Sequence, residues 1–583
     1  MTDTFYVSIH DPFADTLVAL GLQRLLADLL NKQGDDDGAI RYVDKGGYIQ
    51  LTLVAPIREE TIANLGGDKY IMGGVRFVLT AKNADEIPTD TIKYVDDYEA
   101  IKEQNNRFYD AIKAKLSLHE RPVQYDVLRA INPGGLPGWN NVLNNWWQLR
   151  EHQSVVVRLL LDLYRVHPNP LDAVSAEWKQ LNKQLNWGIT ETTTALQLLN
   201  PTQGKGQNRI KSDGMGIGNM DNLWLVEFIK MVGYYNDVMT KTVKGGKDRK
   251  SFVIAPRDLS LRDHNAILTA FKQTMSAETS IRFDVLASLR YAQALLKHYL
   301  EAEQDLLSRL LGRNLQNKLV GGFHTAFYKD MGNTTATLNI SDIALPGWIV
   351  PHSIEEVNQY QDILKELIDF TRQFDEGHSD AAALLQHLRD FVSGNDLAAF
   401  FRLTNALPAY VIGMRERGKY AQQLTTPTIE RIITMTNPTY SDILANQGFQ
   451  NIAAAIRNST VVPQRRKANG ERLYEIRYGL GQDLTRVAGR GKEAEFLAAL
   501  SDFIHLYNAE TTRIYEVRKV QYRSNITVND INDIVALVDQ HGAPTIARLL
   551  VAYGYARVPK DEPAEASTEE QVLNSDSSDD TDN

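Results

Sequence analysis

The sequence predicts a mostly helical α+β protein: an α/β N-terminal region, a mixed central body, a C-terminal all-α helical bundle and a disordered acidic tail. Strand-like segments and glycine turns are concentrated in the first part of the chain, and apolar residues recur at helical spacing over most of the rest. The final segment combines acids with serine and has little apolar content. We therefore place the boundaries at 1–85, 86–433, 434–560 and 561–583.

The N-terminal region begins with a strand pattern at Phe5–Ile9. Asp11 is suited to cap a helix that has Pro12 at its first position. The segments Tyr48–Val54 and Val75–Thr80 are further predicted strands, separated by glycine turns. The apolar side chains of the predicted helix follow helical spacing at Phe13, Leu17, Leu20, Leu25 and Leu29.

The C-terminal half is predicted to be helical. Residues 355–430 follow helical patterns, and Thr434–Pro438 marks a break. From Asn437 to Arg557 five amphipathic helices follow, which is typical of a small helical bundle. The bundle is basic: between Arg457 and Arg523 the chain has thirteen Lys and Arg residues against eight acids. We take Arg465, Arg466, Lys467 and Arg477 as candidate contacts for nucleic acid.

Composition excludes several classes of protein. The chain has 583 residues and no cysteine, so it has no disulfides, cysteine nucleophiles or thiolate metal sites. No run of about 18 apolar residues is present, and the N-terminal segment lacks the basic and apolar regions of a secretory signal. We therefore expect a cytoplasmic protein, and we predict no cofactor.

The net charge of −10 conceals an uneven distribution. The segment 561–583 holds nine acids and no Lys or Arg, which leaves −1 for the rest of the chain. The basic residues of that remainder are clustered, and clustering matters more for nucleic-acid binding than total charge.

The clearest basic cluster lies in a glycine-rich segment that leads into an apolar helix, predicted at Met220–Tyr235. Glycine allows backbone N–H groups to approach an anion, and a helix N-terminus behind such a segment favours negative charge. We expect Asn219 to cap the helix. The alternative is a surface loop with solvated cations. The glycines are Gly204, Gly206, Gly214, Gly216 and Gly218, and the candidate contacts are Lys205, Asn208, Arg209, Lys211 and Asn219.

Two further segments are candidates for nucleic-acid contact. A second basic segment begins at Lys241 and supplies the candidate contacts Lys244, Lys247, Arg249 and Lys250. The segment 132–141 combines proline, glycine and amides, and its Asn140 and Asn141 are residue types that read base edges. The alternative for this segment is an ordinary loop with Trp139 packed on the core.

Several of these runs resemble a known family. NPTQGKGQNRIKSDG, followed by GNMDNLWLVEFIKMVGYY, resembles the central signature of the large subunit of type I CRISPR Cascade complexes. IAAAIRNSTV, YEIRYGLGQDL, FLAALSDFIHLYN and IVALVDQHGAPTIARLLVAYGYAR resemble the small-subunit-like helical domain fused to such subunits. The rest of the chain agrees with the family only in layout, so the subtype stays open.

The resemblance implies a non-catalytic subunit of an RNA-guided surveillance complex. Such subunits recognise a protospacer-adjacent motif in double-stranded DNA, help to open the duplex, and support R-loop formation and recruitment of a helicase-nuclease or another effector. The implied partners are guide RNA, target double-stranded DNA, the displaced single strand and other Cascade subunits, while guide pairing reads most of the sequence. In related systems free small subunits arise by internal translation, so a start at Met435, or at Met414, is a hypothesis here.

Two alternatives remain open. The His10–Asp11 pair is the dipeptide of HD phosphohydrolases, but no upstream histidine accompanies it, and the chain has no His-Glu-x-x-His, Walker A or dinucleotide-binding motif. A metal-dependent nuclease or phosphohydrolase is therefore the enzyme alternative. The other is a scaffold that binds only protein and RNA.

Overall fold

The computed structural model describes residues 3–114, 116, 121–203, 220–244, 246–302, 310–332, 335–394, 396–468 and 473–559. It is mixed α+β and mostly helical, as predicted. The chain divides into two compact units, Met1–Val357 (unit 1) and Asn358–Asn583 (unit 2). This division falls upstream of the predicted boundary at 433/434. The predicted disordered tail, 561–583, lies outside the described residues.

Unit 1 contains all the strands that the structure describes. Its elements are β1 Thr4–Ser8, α1 Pro12–Lys32, β2 Arg41–Asp44, β3 Tyr48–Thr52, α2 Glu59–Ala63, β4 Phe77–Leu79, β5 Val95–Asp97, α3 Tyr98–Lys113, α4 Gln124–Ile131, α5 Leu136–Gln148, α6 Gln153–Tyr164, α7 Leu171–Gln184, β6 Thr192–Thr194, β7 Asp221–Leu223, α8 Trp224–Asp237, β8 Val238–Thr242, β9 Arg249–Pro256, β10 Asp258–Ser260, α9 Leu261–Thr274, α10 Ser280–Glu301, α11 Leu315–Lys318, β11 Val320–Asp330 and β12 Thr335–Ala344.

Two antiparallel four-stranded sheets organise unit 1. The first has the order β1-β3-β2-β10, and Leu51 of its β3 lies opposite Phe5 on one side and Tyr42 on the other. The second has the order β12-β11-β9-β8, with Phe323 of β11 opposite Ile254 of β9. Two small ribbons, β4 with β5 and β6 with β7, complete the described sheets.

Helices α1 and α8 cross in the core of unit 1 at a contact that requires glycine. A Cβ atom on Gly21 would lie 2.0 Å from the carbonyl oxygen of Ile229, and one on Gly233 would lie 2.2 Å from that of Leu17. Both helices are buried on most faces, which the apolar sequence of α8 predicted for that helix. This close packing fixes the middle and C-terminal half of α8 against α1.

The predicted start of α1 is confirmed. The Asp11 carboxylate accepts the backbone N–H groups of Phe13 at 3.1 Å and Ala14 at 3.3 Å, with Pro12 in the first turn. The predicted start of α8 is wrong. The helix begins at Trp224 rather than Met220, because Asp221–Leu223 pair as a strand with Thr192–Thr194. The N-cap position is therefore Leu223, so the prediction that Asn219 caps this helix is also wrong.

In the part of unit 2 that the structure describes, every element is a helix. These elements are α12 Ile354–Arg372 (whose first residues precede the division), α13 Ser379–Gly394, α14 Leu397–Glu416, α15 Thr426–Thr436, α16 Ser441–Ala445, α17 Gln447–Ser459, α18 Val461–Ala468, α19 Leu480–Val487, α20 Glu493–Arg518, α21 Val528–His541 and α22 Ala543–Gly554. The helical character predicted for 355–430 and for the C-terminal bundle is confirmed.

The helices before residue 434 belong to the same unit as the bundle because they cover its central helix. Helix α22 is buried along most of its length and contacts α14 and α15 as well as α17 and α21. Ile429, Ile432 and Ile433 of α15 are buried. Helix α14 is also long and apolar enough to cross a membrane by length and composition, with a mean hydropathy of 1.3. Its buried face packs in this helical core.

Candidate nucleic-acid interface

The glycine-rich segment 204–219 lies outside the described residues, and with it the candidates Lys205, Asn208, Arg209, Lys211 and Asn219. The structure does describe both of its ends. The strands β6 and β7 pair antiparallel, with Thr194 opposite Asp221, and the backbone N–H of Ala195 donates to the carbonyl of Met220 at 2.8 Å. The two ends of the glycine-rich segment therefore meet at one two-stranded ribbon, formed by β6 and β7.

A buried polar network fixes the ends of this segment to the first turn of α8. The Glu227 carboxylate accepts the Asn200 side-chain amide at 2.9 Å, the Asn222 amide at 2.8 Å and the Lys230 ammonium at 2.8 Å. The Lys230 ammonium also donates to the Asn200 side-chain oxygen at 2.5 Å. Glu227 and Asn200 are fully buried. Since Asn200 precedes the glycine-rich segment and Asn222 follows it, one carboxylate holds both ends.

The start of α1 and one strand of the second sheet hold the same region. The Thr202 hydroxyl donates to the Asp11 carboxylate at 2.5 Å, and the Tyr328 hydroxyl donates to the Leu198 carbonyl at 3.2 Å. Next to Asp11, burial raises the pKa of the Asp15 carboxyl, although that group accepts the backbone N–H groups of His10 and Asp11. The acid of the His10–Asp11 pair thus serves as a helix cap and as an anchor.

The second basic segment is divided between surface and interior. Lys244 and Lys247 are exposed at the turn between β8 and β9. With Lys329, Asp248 and Asp330 they line a concavity of about 430 Å³. The Lys329 ammonium lies 3.2 Å from the Asp248 carboxylate at its edge. The exposed ammonium groups of Lys244 and Lys247 are available to an anionic ligand.

The other two cations of that segment are corrections to the sequence prediction. Lys250 is buried and forms an ion pair with Asp284 of α10. Arg249 is also buried, donates to the Ala130 carbonyl at 3.1 Å and lies 3.6 Å from Asp330, and burial lowers the pKa of its guanidinium. Both lie in β9, a strand covered on both faces, so neither presents its charge to a ligand in this structure.

The amide-rich segment 132–141 is also corrected. Its second half is the first part of α5 rather than a loop, and Trp139 is buried, as the alternative interpretation predicted. The Asn140 amide donates to the Val78 carbonyl at 3.0 Å, and its oxygen accepts the Val78 N–H at 3.1 Å. Asn140 thus completes the edge of a strand and cannot contact a base. Asn141 is exposed.

The predicted cations of unit 2 differ in exposure. Arg465 is exposed and Lys467 is half-buried, whereas Arg466 is buried. The Lys467 ammonium lies 3.2 Å from the Glu416 carboxylate, which also accepts the Tyr478 hydroxyl at 2.8 Å. Arg477 is half-buried, and its backbone N–H donates to the Ser459 carbonyl at 2.8 Å.

The structure adds residues that the sequence analysis missed. Arg415, Arg417, Lys419 and Tyr420 end α14 or follow it directly, and Tyr420 is 79% exposed. The Arg415 guanidinium donates to the carbonyl of Val461, the first residue of α18, at 3.3 Å, and burial lowers its pKa. We call Arg415, Arg417, Lys419, Tyr420, Arg465 and Lys467 the basic patch of unit 2.

Neither a protein-family model nor a curated protein sequence matches the chain. Among the described residues, no three His, Asp or Glu side chains are grouped as metal ligands would be.

Proposed function

We propose that this chain is the non-catalytic large subunit of an RNA-guided type I CRISPR surveillance complex, with a fused small-subunit-like helical domain. It recognises the protospacer-adjacent motif, helps to open duplex DNA and supports R-loop formation and effector recruitment in the cytoplasm. Its partners are guide RNA, target DNA, the displaced strand and the other subunits of the complex.

The observation that carries this proposal is the anchoring of the glycine-rich segment at Glu227. Three cations, Lys205, Arg209 and Lys211, lie in a segment whose two ends are held by one buried carboxylate. A fixed base reduces the conformational entropy lost when such a segment binds a ligand. Phosphate groups are the ligands that clustered Lys and Arg favour.

The basic patch of unit 2 supports the single-stranded part of the proposal. It has five Lys or Arg residues, and the exposed ring of Tyr420 accompanies them. Sequence-independent binding of single-stranded nucleic acid commonly combines cations along the backbone with aromatic rings that stack on bases. The Tyr478 ring, 51% exposed, lies beside Lys467.

A salt titration tests the role of the glycine-rich segment. We expect Lys205→Ala/Arg209→Ala/Lys211→Ala to weaken DNA binding and to make the dependence of log K on log salt less steep by about 2 to 3, because fewer counterions are released. The matched control is Lys102→Ala/Arg107→Ala/Lys113→Ala, which removes the same charge from exposed positions of α3 that are paired with acids. Equal slopes for the two triple variants would contradict the proposal.

Co-purification tests the assembly. The chain, expressed with its neighbouring genes, is expected to co-purify with a guide RNA and backbone subunits. The complex is expected to bind double-stranded DNA that carries both the matching sequence and the adjacent motif. Metal-dependent cleavage of DNA by the purified chain, abolished in Asp11→Ala, would favour the nuclease alternative instead.

A further inference from the structure

The last described residues of unit 2 are held at a fixed point. The backbone N–H of Arg557 donates to the Leu424 carbonyl at 2.9 Å, and the N–H of Thr426 donates to the Arg557 carbonyl at 2.9 Å. Just before, the Tyr555 carbonyl accepts the side-chain amide of Gln423 at 2.5 Å. Asp561, the first acid of the segment 561–583, follows Arg557 by four residues.

That point is adjacent to the basic patch of unit 2. The oxygen of the same Gln423 side chain accepts the Arg415 guanidinium at 2.6 Å. One side chain therefore contacts both Tyr555, near the end of the described chain, and Arg415 of the patch. Four residues of extended chain span at most about 14 Å, so the first acids begin within reach of this surface.

Charge makes the two partners complementary. The segment 561–583 has nine acids and no Lys or Arg, whereas the patch has five Lys or Arg residues and encloses one acid, Glu416. The patch already binds one carboxylate, because the exposed Glu416 accepts the Tyr478 hydroxyl at 2.8 Å and the Lys467 ammonium at 3.2 Å. Further carboxylates from the neighbouring segment fit the same chemistry.

We infer that the acidic segment 561–583 docks on the basic patch of unit 2 and competes there with the phosphates of single-stranded nucleic acid. The competition rests on the proposed function, whereas the docking itself does not. Exposed ion pairs are individually weak and are screened by salt. Attachment to the same chain, however, gives the acids a high effective concentration at the patch. The expected effect is therefore moderate and salt-sensitive.

Zero-length crosslinking of the full chain tests the docking. A carbodiimide joins a carboxylate to a lysine that it contacts, and mass spectrometry identifies the joined peptides. We expect residues 561–583 to crosslink to Lys419 and Lys467 at low salt and these crosslinks to disappear at high salt. The controls are Lys492 and Lys519, which are exposed on the same unit. Equal crosslinking to the controls, or none to the patch, would overturn the inference.

A binding assay tests the competition. The probe is a fluorescent 20-nucleotide oligothymidylate, and the variant replaces the nine acids with Asn or Gln. We expect the variant to bind three- to tenfold more tightly than the unmodified chain, and this gain to disappear when Arg417→Ala/Lys419→Ala/Lys467→Ala is added. If replacing the nine acids tightens binding by the same factor in a chain that also carries the three patch substitutions, the acids act by general repulsion of the oligonucleotide. That result would overturn the competition.

The two assays separate the two proposals. If crosslinks map to the patch but no variant binds the oligonucleotide, the docking stands and the proposed single-stranded binding fails. If the oligonucleotide binds through the patch and neutralising the acids changes nothing, the proposed binding stands and the competition is wrong.

Discussion

Lys230 donates to Glu227 at 2.8 Å, and both side chains are buried one turn apart on α8. Burial makes this pair different from an ion pair on the surface, because removing one partner leaves a charge in a low-dielectric environment. The pair also forms hydrogen bonds with Asn200 and Asn222, and so it fixes the residues that flank the glycine-rich segment on both sides.

We expect Glu227→Ala to lower the free energy of unfolding by about 3 to 5 kcal/mol, because it leaves the buried Lys230 ammonium without its carboxylate partner. Chemical denaturation measures the change. The control is Glu301→Ala, since Glu301 is paired at 3.7 Å with Lys297 in an exposed i,i+4 geometry. Its expected effect is below about 0.5 kcal/mol. Similar losses of stability in the two variants would show that the buried network does not stabilise unit 1.

The lysines of the second basic segment differ in exposure, so we expect the exposed ones to affect DNA binding and the buried one to affect stability. We expect Lys244→Ala/Lys247→Ala to leave stability almost unchanged and to reduce the salt slope of DNA binding by up to about 2, since each lysine that neutralises a phosphate adds about one to that slope. Lys250→Ala is expected to destabilise the protein by several kcal/mol, about 3 or more, because Asp284 then remains buried without this ion pair. If the double variant has the same salt slope as the unmodified chain, Lys244 and Lys247 do not contact the DNA phosphates.

Burial lowers the pKa of the Lys241 ammonium to about 8, despite its ion pair with Asp126. The unfolded chain keeps this proton up to about pH 10.4. Between these values the unfolded state binds more protons, so the contribution of Lys241 to the free energy of unfolding rises with pH. We expect the unmodified chain to gain about 3 kcal/mol relative to Lys241→Met between pH values of about 7.5 and about 10.5.

Denaturation of both proteins across this pH range gives the measurement, and the comparison removes the titrations that they share. In Lys241→Met the Asp126 carboxylate keeps the Arg121 guanidinium as its partner. If the difference in free energy of unfolding between the two proteins stays constant across this pH range, the pKa of Lys241 is not lowered in the folded protein.

The packing of α22 predicts which fragment folds alone. We expect residues 358–583 to unfold cooperatively and residues 435–583 to be less stable, because the shorter fragment lacks α14 and most of α15 and exposes α22. Urea denaturation followed by circular dichroism compares them. Equal stability would support translation from Met435. Mass spectrometry of complexes expressed from the native gene, with and without Met435→Leu, tests that hypothesis directly.

Local sequence patterns were enough to predict those features whose sequence signals lie within a few residues of one another. Asp11 and Pro12 indicated the start of α1, and the apolar sequence of α8 indicated a buried helix, because caps and periodicity act over one or two turns. The start of α8 was predicted incorrectly because a pairing with Thr192–Thr194, distant in sequence, takes Asp221–Leu223 into a strand.

The sequence by itself determined the helical content of the chain and the clustering of its charges. Only the tertiary structure decided which polar groups reach solvent. Asn140 and Asn141 are adjacent and chemically identical, yet the first pairs with Val78 and the second is exposed. Residues 415–420 join Arg465 and Lys467 in one patch because α14 packs beside α18. The sequence specifies the chemistry of each side chain, whereas its accessibility to solvent depends on which distant element of the fold covers it.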